Sequence, residues 1–297
     1  MYLHTIHNDP MAILLALAAA ATYGGADFLG GLVTKRASVL TVVLLSQLAG
    51  AVLLAIVFPF GGSGPVDGGA IAWGATSGVA GAVGVVLLYR GLALGRMSVV
   101  APVTAVVAAC VPVLFGLLTG ERPALLALVG VLLALVAVGL VSAAPDPSAD
   151  AAVTSARARL QLAPGVVEAL GTGLAFGAFF ILLQQAGSGS GLWPLVGARM
   201  SSIGVIAVAV LVRRPSFRTD RRTYAGIAGS GALDLSANLL YLLASRRGLL
   251  SLVAVLTSMY PASTVLLARV VLGERLSAAQ GAGLFIAATG VVLIAFA

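Results

Sequence analysis

Ten apolar stretches, each long enough to cross a lipid bilayer, follow one another along the 297-residue chain. A spanning helix needs about 20 apolar residues, and its backbone groups must hydrogen-bond within the segment because hydrocarbon offers no partners. We therefore predict an all-α, polytopic membrane protein with ten transmembrane helices. The stretches lie at 11–34, 38–60, 70–90, 97–118, 122–143, 164–187, 192–212, 223–245, 250–272 and 277–297.

The composition agrees with burial in lipid. Hydrophobic residues make up 60% of the chain and charged residues 9%, whereas a soluble domain needs about 25% charged residues to cover its surface. The net charge of +7 comes from basic residues in short loops between apolar stretches. This placement is typical of charges that set membrane orientation beside anionic lipid, not of a nucleic-acid-binding face. The predicted partners are the lipid bilayer of the cell membrane and a small-molecule substrate, with no nucleic acid.

Residues that could bind metals or cofactors are scarce. Cys110 is the only cysteine, and the only histidines, His4 and His7, both lie in the N-terminal tail. A thiolate cluster, a disulfide framework and an intramembrane histidine site are therefore excluded. The phosphate-binding pattern Gly-x-x-x-x-Gly-Lys-Ser/Thr does not occur. We predict no cofactor, no metal and no direct use of ATP.

The two halves of the chain match each other. A shift of 153 residues superimposes Gly120-Glu121-Arg122 on Gly273-Glu274-Arg275 and Thr104 on Thr257. Because each unit has five helices, the second enters the membrane upside down, which gives the inverted repeat typical of secondary transporters. The predicted organisation is an N-terminal tail at 1–10, a first five-helix repeat at 11–144, a linker at 145–163 and a second repeat at 164–297.

Each repeat has a fourth helix rich in small residues, which ends in Gly-Glu-Arg before the last helix. The second copy carries the fuller motif, with Tyr260-Pro261 and then Leu272-Gly273-Glu274-Arg275-Leu276. In this the sequence resembles the EamA-type members of the drug/metabolite transporter superfamily. The first copy departs from the motif, because Pro102 and Pro112 do not align with Pro261 and Ser46 stands opposite Arg199. The resemblance implies transport, and relatives export amino acids, other metabolites or drugs, while some import.

The orientation in the membrane stays open. Thirteen of the 17 basic residues lie in the loops after the first, third, fifth, seventh and ninth spans, and three lie in the opposite loops. The positive-inside rule would then place both termini outside the cell. The resemblance implies the opposite, since such relatives are commonly drawn with both termini in the cytoplasm.

Polar residues inside the spans need a reason, because a charge at the helix centre costs about 2.5–3.5 kcal/mol on insertion scales. Asp234, Asn238 and Tyr241 share one helical face at spacings i, i+4 and i+7. We interpret this stripe as the lining of a central cavity. In the alternative, Asp27 or Asp234 only pairs with Arg199 or with backbone groups. The predicted cavity residues are Tyr23, Asp27, Tyr89, Gln184, Arg199, Asp234, Asn238, Tyr241 and Tyr260.

Prolines and glutamates give two further predictions. Pro102, Pro112 and Pro261 each remove a helix hydrogen bond and permit kinks, which could serve gating or only tune helix shape. Glu121 and Glu274 sit beside arginines at helix ends, so capping and pairing within their own loops predict a structural role.

These observations favour a secondary transporter, not an enzyme, that moves a small polar or zwitterionic metabolite by alternating access. Amino-acid export is the most specific expectation, because sparse cavity charge suits a zwitterion better than a nucleotide sugar. A lipid flippase and an intramembrane lipid-modifying enzyme are the alternatives. The enzyme would need clustered acid, base or metal groups. Proton coupling through one Asp or facilitated exchange, and a monomer or a homodimer, stay open.

Overall fold

A computed structural model describes residues 9–61, 64–94, 97–142, 165–187, 189–272 and 278–296, and these residues form helices and connecting turns. The helices of the first repeat are α1 (Pro10–Thr34), α2 (Val39–Val57), α3 (Gly68–Leu94), α4 (Met97–Leu118) and α5 (Leu125–Ser142). Those of the second are α6 (Val166–Gln184), α7 (Trp193–Arg213), α8 (Arg221–Ser245), α9 (Leu250–Thr257), α10 (Tyr260–Leu272) and α11 (Ala278–Ala295). The predicted linker and Glu274 lie outside the described residues.

The described helices account for the ten predicted spans. Seven segments are long and apolar enough to cross a membrane, and one of them, Leu250–Val271, combines α9 and α10. Three shorter apolar helices, Val103–Leu118, Leu125–Leu140 and Ala278–Ile294, occupy the other predicted positions. The predicted all-α, polytopic fold is thus confirmed.

Polar caps mark where several helices begin. Asp9 accepts a hydrogen bond from the Met11 N–H at 2.9 Å, and Ser38 accepts one from the Thr41 N–H at 3.2 Å. At the start of α8, the backbone N–H and the hydroxyl of Thr223 donate to Asp220 at 2.9 and 2.8 Å. These bonds hold the pKa of the Asp220 carboxyl below its ordinary value. Such caps satisfy the backbone donors that the first helical turn leaves unpaired.

The two repeats interlock, because each of the most extensive helix pairs joins one helix from each repeat. The extensive pairs are α1–α8, α5–α11, α3–α7, α3–α6, α4–α6 and α2–α8. Small residues permit the close approach: a Cβ at Gly130 would lie 2.7 Å from the Gly290 carbonyl oxygen, and one at Gly24 would lie 2.5 Å from the Ser263 Cβ. Since lipid gives no hydrophobic drive for helix association, van der Waals contact of this kind holds the bundle together.

The fourth span of each repeat contains proline, but the two spans differ. In the second repeat the helix stops after Thr257, turns through Ser258 and Met259, and restarts at Tyr260 as α10. Pro261 has no N–H to donate to the carbonyl of Thr257, four residues earlier, which explains the break. In the first repeat, α4 runs without interruption through Pro102 and Pro112.

Candidate functional site

An ion pair lies at the middle of the bundle. One Arg199 nitrogen (Nη2) donates to Asp234 Oδ2 at 2.6 Å, and the other (Nη1) donates to Gln47 Oε1. The Arg199 side chain, on α7, is 8% exposed. Gly50 leaves it room against α2, because a Cβ there would lie 3.2 Å from the Arg199 Cζ. The Arg199–Asp234 pairing is the one that the alternative sequence interpretation anticipated.

The pair extends into a chain of hydrogen bonds across the bundle. Asn238 donates from its amide nitrogen to the Asp234 carbonyl oxygen at 2.7 Å and to Asp234 Oδ2 at 3.3 Å. The Tyr23 hydroxyl donates to the Asn238 amide oxygen at 2.9 Å. Together Gln47, Arg199, Asp234, Asn238 and Tyr23 form what we call the central polar network. It joins α2, α7, α8 and α1, so it links the two repeats.

Four aromatic rings lie in or next to this network, and one of them belongs to Tyr23. The Tyr23 ring makes edge contacts with Phe180 and Tyr260, at centroid distances of 6.4 and 6.5 Å. Phe180 lies 4.6 Å from the ring of Tyr241, which is fully buried and donates its hydroxyl proton to the Phe180 carbonyl oxygen at 2.9 Å. We call Tyr23, Phe180, Tyr241 and Tyr260 the aromatic layer.

Asp27 lies beside both groups and is exposed. It sits one turn after Tyr23 on the same face of α1, and α1 packs against α8, which carries Asp234, and against α10, which begins at Tyr260. Among the described residues, no hydrogen bond or ion pair engages its carboxylate. The helix around it is held firmly, since Ser230 donates to the Ala26 carbonyl oxygen at 2.9 Å. The exposure of Asp27, deep in a spanning helix, makes this edge of the central polar network accessible.

The bundle has two faces of different character. The terminal face is the one at which α1 begins and α11 ends; the basic face is the opposite one, which carries most of the basic loops. On the terminal face, Glu121 caps α9 across the repeat boundary: its carboxylate accepts the N–H groups of Leu250 at 2.6 Å and Ser251 at 3.0 Å. Its partners are therefore in the other repeat and not in its own loop.

Other side chains tie the loops of the terminal face together. Arg246 donates to the Ser190 hydroxyl at 3.0 Å and to the Gly191 carbonyl oxygen at 2.6 Å. The Trp193 indole donates to the Gly64 carbonyl oxygen at 3.3 Å. The Arg246 bonds join the loop after α8 to the loop after α6. The Trp193 bond joins the loop after α6 to the loop after α2. These hydrogen bonds therefore cross-link the described loops of the terminal face.

The described part of the basic face has fewer such links. One bond crosses it from helix to loop, the Thr41 hydroxyl donating to the Ser216 carbonyl oxygen at 2.9 Å. The largest buried apolar cluster includes residues near the terminal face such as Leu183, Leu192 and Leu242, whereas Val33, Val42 and Ile227 form a small separate cluster near the basic face. Among the described residues, more side-chain bonds therefore cross between loops on the terminal face than on the basic face.

The structure thus gathers most of the predicted cavity residues. Tyr23, Arg199, Asp234 and Asn238 share hydrogen bonds, Tyr241 and Tyr260 lie in the aromatic layer, and Asp27 adjoins both groups. Gln184 is not part of this group: it ends α6, one turn beyond Phe180 toward the terminal face. Pro112 is buried within α4. The side chains of Tyr89 and Pro102 lie outside the described residues.

Sequence reasoning missed Gln47 and Phe180. A signal for Gln47 existed, because it is an amide within an apolar span and directly follows Ser46, the repeat counterpart of Arg199. Phe180 gave no comparable signal, since it contributes a backbone carbonyl and a ring that resemble any apolar residue. Within the described residues, no group of three or more His, Cys, Asp or Glu could hold a metal ion. The site offers charge, hydrogen bonds and ring faces, which suit binding of a polar solute.

Comparison with known proteins agrees with this picture. The model of the EamA-like transporter family matches twice, over residues 10–143 and 163–296. A solved crystal structure of a protein has a similar fold, with a TM-score of 0.74 at 16% identity over 96% of each chain. A search of curated proteins found no match. Because two copies of the family model span nearly the whole sequence, the chain belongs to the EamA-like transporter family, which consists of membrane transporters of the drug/metabolite superfamily.

Proposed function

We propose that this protein is a secondary transporter that moves a small polar metabolite by alternating access past the central polar network. The observation that carries the proposal is Asp27, an exposed and unengaged acid midway through a membrane bundle whose terminal face is cross-linked by hydrogen bonds. A structural acid would be paired or buried. An acid that solvent reaches from one side, beside an ordered polar network, is what a solute site requires.

The proposed cycle begins with the solute entering from the basic face. It reaches Asp27 and then Asp234, whose side chain is 35% exposed. The aromatic layer blocks further passage. Release on the other side requires the terminal-face bonds of Glu121 and Arg246 to open while the basic face closes. The break between α9 and α10 lies next to this layer, at Tyr260, and would let the two half-helices move separately.

Export is the proposed direction, and an amino acid the proposed substrate. The basic face carries most of the positive charge, so the positive-inside rule would place it in the cytoplasm. The open state would then load solute from inside the cell. The two acids and the tyrosine rings offer partners to the amino group of such a solute, while the guanidinium of Arg199 is held by Asp234. Exchange of the solute for protons is one form that the coupling could take.

The test is counterflow in proteoliposomes. Purified protein would be reconstituted with unlabelled solute inside, and uptake of a panel of radiolabelled amino acids measured with and without a pH gradient. Saturable uptake that falls in Asp234→Asn supports the proposal. Asp220→Asn is the matched control, since it removes an acid from the same helix at its exposed end. If the folded protein moves no amino acid, the amino-acid proposal fails, and a lipid-scrambling assay decides whether a flippase replaces it.

A further inference from the structure

The charges around the central site do not balance. Asp27 and Asp234 supply two carboxylates, and Arg199 supplies one guanidinium. That guanidinium is already engaged, since Asp234 lies 2.6 Å from one of its nitrogens and Gln47 binds another. With Arg199 neutralised by Asp234, the charge that stays uncompensated belongs to Asp27.

No other described cation reaches Asp27 to form an ion pair. The basic residues nearest to it on its own helix are Lys35 and Arg36, which lie roughly 12 Å further along at a rise of 1.5 Å per residue and are exposed. On α8, which packs against α1, the nearest charged group is Asp234, which adds negative potential. On α10, the neighbouring polar group is the hydroxyl of Tyr260. Among the described residues, Asp27 therefore has no cationic partner.

The aromatic layer strengthens the preference for positive charge. The rings of Tyr23 and Tyr260 meet edge to face at a centroid distance of 6.5 Å; Tyr23 lies one turn from Asp27 on α1, and Tyr260 begins α10, which packs against α1. Aromatic faces attract ammonium groups through their quadrupole, by roughly 0.5–2 kcal/mol depending on desolvation. A carboxylate and aromatic rings at one place form a site for a cation.

A solute carboxylate has no such partner. Arg199 is 8% exposed, and its guanidinium is shared between two side chains. An entering carboxylate would have to displace Asp234 while it is repelled by Asp27. The described site therefore favours an ammonium group and disfavours the other half of a zwitterion.

We infer that the substrate class of this site is the net-cationic amine, a small organic ammonium that pairs with the Asp27 carboxylate against the rings of Tyr23 and Tyr260. The inference rests on the proposed transport function; it keeps the ammonium group of the proposed amino-acid substrate and excludes the carboxylate. A solute whose positive charge is not balanced by a carboxylate fits the charge of the site. A zwitterion leaves its own carboxylate unpaired, and an anion is repelled.

A matched trio of solutes tests this selectivity. Tyramine, tyrosine and 3-(4-hydroxyphenyl)propionate share one ring and one chain length but carry net charges of +1, 0 and −1 at neutral pH. Binding of each to the purified protein in detergent would be measured by calorimetry, and flux of the same labelled solutes by counterflow. We expect tyramine to bind most tightly and the propionate least. Tighter binding of tyrosine than of tyramine would overturn the inference.

Variants at Asp27 supply the second arm. Asp27→Asn is expected to weaken tyramine binding by about 30-fold or more, the effect of losing about 2 kcal/mol from a desolvated charge pair. Asp27→Glu, which keeps the charge, should retain most of the affinity. Asp67→Asn, an acid that caps the exposed start of α3, is the control. Unchanged tyramine affinity in folded Asp27→Asn contradicts the inference, whatever the wild-type selectivity.

The failures of the two proposals are distinguishable. If tyramine neither binds nor moves but a zwitterion shows saturable flux, the amine inference is wrong and the transport proposal stands. If folded protein moves none of the solutes in either panel, both proposals are wrong as stated. Circular dichroism and a cooperative thermal transition establish that each variant is folded before its binding is compared.

Discussion

The terminal and basic faces of this bundle differ in the polar side chains that they carry. On the terminal face, carboxylate, guanidinium and indole groups reach across loops and bond to backbone atoms of another loop or repeat. On the basic face, the segment from Arg213 to Arg222 alone carries five arginines. Side chains of one sign repel one another when brought together, whereas capping groups hold elements at a fixed distance. Directional hydrogen bonds therefore connect the described loops of the terminal face, whereas the segment from Arg213 to Arg222 concentrates positive charge on the basic face.

The two repeats also differ from each other. The fourth spans of the two repeats share sequence features, yet α4 is continuous and its counterpart is broken into α9 and α10. The start of α9 is fixed to Glu121 on the terminal face, and its end lies beside the aromatic layer. The Glu121 cap and the broken helix are therefore parts of one arrangement.

The largest effect is expected at the ion pair between the two faces. Asp234→Asn leaves the guanidinium of Arg199 nearly buried without its carboxylate partner, and we expect a loss of about 2–3 kcal/mol in the free energy of unfolding. Reversible unfolding in mixed micelles checks this. The control is Asp220→Asn on the same helix. Equal stability of wild type and Asp234→Asn would show that the network contributes nothing to the resting structure.

The second largest effect is expected at the Glu121 cap on the terminal face. Glu121→Ala removes two charge-assisted hydrogen bonds to the start of α9, worth about 1.5–3 kcal/mol for bonds to a charged group, so the closed face should open more often. A cysteine placed at the buried Leu252, in a Cys110→Ala background, would report opening by its maleimide labelling rate. Arg122→Ala removes an exposed neighbouring charge and should leave labelling unchanged. If Glu121→Ala labels no faster than the background protein, the cap does not control this face.

Removing the break between α9 and α10 should have a smaller effect, which we expect only on the transport rate. Pro261→Ala restores an N–H donor for the Thr257 carbonyl and favours a continuous helix. We expect counterflow to slow several-fold while thermal stability stays the same or rises. Pro112→Ala, in the continuous α4, should change the rate much less. Equal effects of the two substitutions would show that the break has no special role in transport.

The smallest effect belongs to the cap at the basic face. Bonds from Thr223 hold the pKa of Asp220 below its ordinary value, so the cap contributes stability at pH values above the unfolded pKa, near 3.9. That contribution is lost as the pH falls through the lower pKa of the folded state. Asp220→Asn should therefore melt slightly below wild type at neutral pH, and the difference should shrink in acid. A difference that grows on acidification would contradict the assignment.

The membrane environment, the fold class and the repeat could be predicted from the sequence. Twenty-residue apolar stretches can only be helices in hydrocarbon, so counting them gave the spans. Helical periodicity also placed Asp234, Asn238 and Tyr241 on one face of α8, and the structure agrees: Asn238 bonds back to Asp234, while Tyr241 lies in the adjoining aromatic layer. These features depend on local geometry, which a helix repeats at every turn.

Tertiary structure alone decided which polar groups meet. The partner of Arg199 on α2, the bond from Glu121 to the other repeat, and the freedom of Asp27 beside a paired Asp234 depend on how helices from two repeats rotate and cross. Three prolines looked alike in sequence, and only Pro261 coincides with a broken helix. Periodicity fixes the face of a residue on its own helix but not the helix that this face meets. Packing between the repeats settles that, through glycines that permit close approach and through polar groups that hydrocarbon forces to find partners.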